Sequence, residues 1–401
     1  MPSRRRFLTT ISTAGVVGLA GCAGRGVSTY SPGTDETTEW PLPAYGRGSS
    51  AYNPDAAAPR DGVTERWSTD LSGVKPSARP VVAAGHVLVP TSGAVVALDL
   101  DTGETRWRYG QDQPWSSAPV VRDGTAYVGF ADRRGLVALD IETGEEQWQV
   151  ETRGDIRAAP TFETAGYNAL YVGDDTGRVY RIRPEDGEIT LRGEVFGPVT
   201  ALAHDRSLLV GTESGEVYNL LPRDETFAGQ WRRKVDGWVT ALGCSREGGI
   251  FVGTFRGTVY SLLDGANVGS SRWTVENGGA YLAVTGEDVV ATDGGNLRTL
   301  DARTGSVAWE RDGKYDAAPA IAGDTVYVGG GEKGGNGTGF VAAYPLSGGT
   351  GLGSLVGDGR RWQFDTESAV IEGVAVADGA VFAATQGPGE SPSRVYALDA
   401  A

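Results

Sequence analysis

Short apolar runs punctuated by glycine recur down the chain in one phase. GAVVALD near residue 94, GLVALD at 135, GRVYRI at 177, GEVYNL at 215, GTVYSL at 257, GNLRTL at 295, GFVAAY at 339 and SRVYAL at 393 make eight copies. Six of the seven intervals between them lie between 38 and 44 residues. A second apolar run precedes most copies (AYVGF at 126, LYVGD at 170, LLVGT at 208, IFVGT at 250, VYVGG at 326), and a third precedes that (APVV at 118, APAI at 318). A run bearing tryptophan follows (EEQWQVE at 145, AGQWRRK at 228, SSRWTVE at 270). Four short antiparallel strands in a unit of about forty residues are the repeat of a propeller blade. A sandwich array would have no reason to keep Gly and Trp in phase.

The two ends of the pattern predict how the ring closes. The eighth unit stops at Val395-Tyr396-Ala397-Leu398-Asp399-Ala400-Ala401, where its fourth strand should begin, and an orphan fourth strand, Thr64 to Leu71, stands at the start with no first three before it. Pairing the two leaves no blade incomplete and no open sheet edge. The expected fold is therefore all-β, an eight-bladed β-propeller of four-stranded antiparallel blades over 63–401, closed by an N-terminal strand.

Ala97 to Trp107 reads A-x-D-x-x-T-G-E-x-x-W, with near copies at Leu139 to Trp148 (LDIETGEEQW) and Leu300 to Trp309 (LDARTGSVAW). Asp-x-x-Thr-Gly is turn chemistry, in which the carboxylate accepts backbone N–H groups and Gly takes a positive φ. The indole four residues beyond that Gly is placed to lie between neighbouring blades. Trp67, Trp107, Trp148, Trp231, Trp273, Trp309 and Trp362 share this phase, whereas Leu191 stands at the equivalent place in the third unit. From roughly Trp67 to the C-terminus, this motif resembles the tryptophan-docking repeat of quinoprotein-type propellers, named after pyrroloquinoline quinone (PQQ). It is similar also to the eight-bladed lipoproteins that support outer-membrane β-barrel assembly in bacteria.

Composition narrows the function. The formal net charge is -15, and lysine occurs only at positions 75, 234, 314 and 333, so the basic footprint that nucleic acid requires is missing. An acidic, Lys-poor surface resembles those of proteins adapted to multimolar salt, where self-repulsion is screened, and implies a halophilic archaeal source. The opening MPSRRRFLTTISTAGVVGLAGCAG carries a twin-arginine pattern at Arg4 and Arg5 and a lipobox-like Leu-Ala-Gly-Cys ending at Cys22. The expected organisation is a signal peptide over 1–21, a lipidated flexible linker with an aromatic segment over 22–62, and the propeller over 63–401. The expected location is the outer face of the cytoplasmic membrane, reached by the twin-arginine route, with a lipid on Cys22 as anchor. The remaining thiol, Cys244, reads as a small buried residue, and Asn336-Gly337-Thr338 is a sequon for glycosylation.

Chemistry-bearing clusters are sparse. A quinoprotein dehydrogenase of the resembled shape carries adjacent cysteines over its quinone and a calcium beside it. This chain has only Cys22 and Cys244, so no cofactor and no catalytic or metal-ligating residue is assigned. His86 and His204 lie nearly three repeats apart, Asp174-Asp175-Thr176-Gly177 reads as a turn, and Gly329 to Gly335 lacks the helix that would aim a dipole at phosphate. Loops entering the innermost strands converge at one mouth of the channel, and there the sequence places Lys75, Trp115, Asp155, Arg157, Trp238, Tyr281, Tyr315, Asp316 and Glu372. Mixed charge with aromatics suits a protein surface. The reading is a monomeric, non-catalytic scaffold binding exported or membrane proteins in their assembly or quality control. A PQQ-dependent dehydrogenase and a sugar- or ligand-binding surface lipoprotein are the alternatives.

Overall fold

The computed structural model describes residues 39–46, 48–71, 76–110, 115–131, 135–163, 168–245, 249–263, 269–331, 338–348, 359–387 and 393–401. The leader with Arg4, Arg5 and Cys22, and likewise Lys75 and Asn336, lie outside them. Among the described residues no helix is long and apolar enough to cross a membrane.

Eight antiparallel four-stranded units form, seven of them in chain order and the eighth completed by an N-terminal strand. Blade 1 is Val81–Ala83, His86–Pro90, Ala94–Asp99 and Thr105–Gly110. Blades 2 to 7 occupy 120–150, 161–194, 199–234, 239–275, 281–312 and 320–366. Blade 8 joins Val370–Ala377, Ala380–Thr385 and Ser393–Ala400 to the N-terminal strand Val63–Leu71. That closing pair runs from Val63 opposite Ala400 to Leu71 opposite Ser393, with a bulge at Arg66 and with Ser68 facing Tyr396. Arg66 fastens it by ion pairs to Asp378 (2.9 Å) and Asp399 (2.7 Å). The second and third strands are almost wholly buried and read as continuous apolar runs, because each blade is covered on both faces by its neighbours.

The repeated turn works as the sequence predicts. Asp99 accepts from the amides of Asp101 and Thr102 and from the Thr102 hydroxyl; Asp140 and Asp301 do the same in their own turns. The Arg106 guanidinium beside Asp99 holds that carboxyl well below the usual carboxylate range. The glycine of each turn has a second duty, which the spacing alone does not reveal. Gly144 (φ 71°) lies beneath the indole of Trp107, so close that a Cβ there would stand 2.6 Å from the ring. Gly103 meets Trp67 in the same way, Gly187 meets Trp148, and Gly305 meets Trp273. Each indole N–H then donates to a carbonyl of the same neighbouring turn: Trp67 to Leu100 (2.9 Å), Trp107 to Ile141 (2.7 Å), Trp148 to Pro184 (2.9 Å), Trp273 to Ala302 (3.0 Å) and Trp309 to Leu346 (2.7 Å). One blade thus hooks the next.

Two junctions depart from the rule. Trp231 lies over Gly269, but its Nε1 has no acceptor among the described residues. Between blades 3 and 4, where Leu191 replaces the indole, Phe227 packs back against Gly193 and Tyr171, and the His204 ring stacks on Tyr171 at 5.3 Å and 8°. Blade 4 reaches that far because its outer hairpin is long, Glu216–Arg223 and Thr226–Lys234.

Replacing Trp107 by Ala should cost about 3–5 kcal/mol, the usual loss for a large buried aromatic. Gly144→Ala should lower the melting temperature as well, through the positive φ and the collision with Trp107. Thermal unfolding of both variants checks this, and an unchanged midpoint in both would remove the docking role.

Burial pushes the His204 imidazole down to about 4, below the ordinary value of about 6.5. The unfolded chain therefore binds the proton more readily. Stability from this site is fully present above about pH 6.5 and is lost as pH falls toward 4, by about 3 kcal/mol in total. His204→Phe, which keeps the stack on Tyr171, should flatten that part of the denaturant-midpoint profile relative to wild type.

Candidate functional site: the two ends of the ring

Because every blade starts inside and runs outward through antiparallel strands, the loops entering the first strands share one end of the ring with the loops joining second to third strands. That end is the mouth. It carries Trp115 (63% exposed), Phe196 (64%), Trp238 (50%), Phe255 (69%) and Tyr281 (40%). Trp238 stacks on Phe255 at 5.3 Å and 30°, and the Phe255 amide donates to the Trp238 carbonyl. The two rings therefore form a fixed shelf across blades 4 and 5. Phe196 is placed by a glycine turn, Gly197 (φ 92°), and by its own amide donating to the Tyr218 hydroxyl. Leaving large aromatic faces in water costs solvation free energy, so several on one end of a molecule mark a contact surface.

The charged candidates at the mouth are mutually engaged. The Asp155 amide donates to the Asp175 carboxylate (3.0 Å), the Asp175 amide donates to the Asp155 carbonyl, and Arg157 pairs with Asp175 at 3.5 Å. Asp174 is fully buried and accepts from the amides of Gly154, Thr176 and Arg178 and from the hydroxyls of Thr176 and Tyr180. All of its lone pairs serve the turn, which leaves none for a cation. The Tyr281 phenol is pushed up by burial first and then by the carboxylates of Glu372 and Asp316, so these three groups share one local field. Gln386 donates to Glu372 (3.4 Å) and to the Pro76 carbonyl (3.0 Å).

Tyr315 is a correction. It is 5% exposed and sits in the core, edge-on to Phe340 at 5.7 Å, with its hydroxyl 2.8 Å from that of Tyr344. Its loop position is that of a mouth residue, but the side chain turns inward because Phe340 and Tyr344 offer both an apolar slot and a hydroxyl partner. Phe196 and Phe255 are the exposed aromatics that sequence reasoning missed. Phe255 was open to discovery, since TFRG occupies a turn that elsewhere reads DDTG or TESG.

The opposite end of the ring is filled by the chain itself. Trp40 exchanges backbone hydrogen bonds with Val82 of blade 1, and Val121 of blade 2 donates to the Pro41 carbonyl. Gly48 donates to His204 of blade 4 and accepts from Cys244 of blade 5; Val284 of blade 6 donates to Ser50, and Ile321 of blade 7 to Ala51. Tyr52–Asn53 then adds a fifth, parallel strand to blade 7. Over this segment reaches Arg79, fully buried, donating to the carbonyls of Pro43, Ala318 and Pro319 at 2.8 Å each, with the Trp40 ring 5.8 Å away. Burial pushes its guanidinium down to about 9, which still leaves it charged at neutral pH. Gly373 (φ 135°) is required where it stands, for a Cβ there would lie 2.6 Å from the Arg79 Nε. Farther along, the Pro59 carbonyl accepts from Trp362 Nε1 and from the Tyr327 hydroxyl, both at 2.9 Å. Blade 8 has no hairpin between its third and fourth strands, and Pro59 supplies the missing docking carbonyl.

Among the described residues no three His, Cys, Asp or Glu side chains are grouped as a metal site requires.

Fold and site together define an eight-bladed propeller with exposed aromatics at one end and an N-terminal segment bound at the other. The pattern of the family described as outer membrane protein assembly factor BamB matches residues 55–198 and again 197–401, and the chain belongs to that family. Among solved structures, it is similar to BamB from Moraxella catarrhalis at 18% identity, covering 84% of this chain and 98% of that one with a TM-score of 0.59. It is similar also to the quinohemoprotein alcohol dehydrogenase from Comamonas testosteroni at 14% identity, covering 90% and 80%, TM-score 0.70. The computationally designed Ika8 protein shares 15% identity over 88% of this chain and all of that one, TM-score 0.62. At these identities the likeness is one of fold. No curated protein matches the sequence.

Proposed function

We propose that this protein is a non-catalytic binding scaffold, exported through the motif at Arg4 and Arg5 and held at the outer face of the cytoplasmic membrane by a lipid on Cys22. In this reading its mouth engages exported or membrane proteins during their assembly or quality control. The observation that carries it is the gathering of Trp115, Phe196, Trp238, Phe255 and Tyr281 on one end of a ring whose other end is filled. Rigid aromatics held by backbone hydrogen bonds present contact area at little entropic cost, as protein-binding surfaces require. Membership of a family described by outer membrane protein assembly supports the same class of activity, with a partner suited to whichever envelope this chain occupies.

Cross-linking in intact membranes followed by mass spectrometry tests the reading. The double variant Trp238→Ser, Phe255→Ser should keep the wild-type melting temperature, because both rings are exposed, yet lose captured protein by roughly tenfold, the effect of removing one interface hot spot. Equal capture by wild type and variant would remove the mouth from the mechanism. A visible chromophore with dye reduction on adding PQQ and calcium would replace the scaffold with an enzyme.

A further inference from the structure

The segment at the base is held differently from anything else in the ring. All eight blades complete their four-stranded ladders without Trp40–Ser50, and ring closure belongs to Val63–Leu71 and its eight register pairs with the last strand. The segment instead makes scattered single or paired backbone hydrogen bonds to the inner edges of five blades that encircle it, as a bound peptide does. Its one large anchor is Trp40, fully buried between Tyr45 (4.9 Å), Arg79 and Val82, and flanked by Pro41 and Pro43. Its conformation is imposed by the site: Ser49 is held at φ 56°, a region that side chains other than glycine avoid. Gly48 lies so close to Cys244 that a Cβ would fall 2.5 Å from the cysteine Cβ. The Ser49 hydroxyl also donates to the Leu202 carbonyl (3.2 Å), yet none of these bonds belongs to a blade ladder, and a segment attached in this way to a ring that is complete without it is one that can open by itself. Beyond Ser50 the chain stays fastened by the Tyr52–Asn53 strand and by Pro59.

We propose that the base of the ring is a binding site for an extended, proline-flanked tryptophan peptide, that Trp40–Ser50 is its resident ligand, and that this ligand unseats as one unit while the ring stays closed. Unseating bares the inner-edge amides of Val82, Val121, Cys244 and Val284, which then take a second peptide of the same chemistry. The proposal is independent of what the opposite mouth binds.

Native-state hydrogen exchange on the full chain reads it directly. Those four amides should exchange together, at least tenfold faster than ladder amides such as that of Ala397. Exchange of the four only in step with the ladders would make the segment an inseparable part of the fold and overturn the proposal. A synthetic peptide of residues 39–53 then serves as probe. The full chain carrying Trp40→Ala should bind it one to one and regain protection at Cys244 and Val284, whereas wild type, its site occupied, should bind it at least tenfold more weakly. Equal binding by the two chains, or binding by neither, overturns the site. Should Trp40→Ala fail to fold, Gly48→Ala unseats the segment by collision instead, and the wild-type exchange experiment stands without any variant.

Discussion

A tryptophan lying on a glycine holds this molecule together. The indole of one blade covers the positive-φ glycine of the next and donates to a carbonyl beside it, so a single contact combines apolar burial, a hydrogen bond and a steric fit that no other residue pair reproduces. Each blade alone is a small sheet with two apolar faces, unable to bury either. The hook fixes how far and at what angle neighbours meet, and repeating one angle around a circle determines where the first and last strands find each other. Everything functional follows from that closure, since the mouth exists only because eight sets of loops are brought to one end.

The seam is reinforced where the repeat runs out. Arg66 ties the closing strand to blade 8, Pro59 replaces a docking turn that the chain cannot build across its own ends, and Arg79 reaches across Gly373 to blade 7. A buried guanidinium satisfied by neutral carbonyls keeps its full charge in the interior, which is costly unless its geometry is fixed. Here it is fixed by three acceptors on two separate parts of the chain, together with an aromatic ring.

Periodicity made the ring legible in the sequence, because blade geometry is local: strand length, turn chemistry and the Gly-to-Trp spacing all lie within forty-odd residues. The closing strand was legible for the same reason, as a fourth strand without its first three. The base was less so. The sequence marks an aromatic segment within 22–62, but the partners of Trp40, Pro41 and Gly48 lie on several different blades, and no local pattern encodes such a set. Tyr315 shows the limit from the other side, for its loop position was readable while the direction of its side chain depended on Phe340 and Tyr344 in the next blade. Likewise Leu191 announced a missing indole, but not that Phe227 and the Tyr171–His204 stack would occupy the gap.

Closing the ring with an early strand also imposes an order on synthesis. Val63–Leu71 emerges among the first folded segments and has no partner until Ser393–Ala400 has been made. Through most of translation, the growing polypeptide is therefore an open arc with two unpaired ends. The seam between these two segments is therefore the last part of the ring that synthesis can complete.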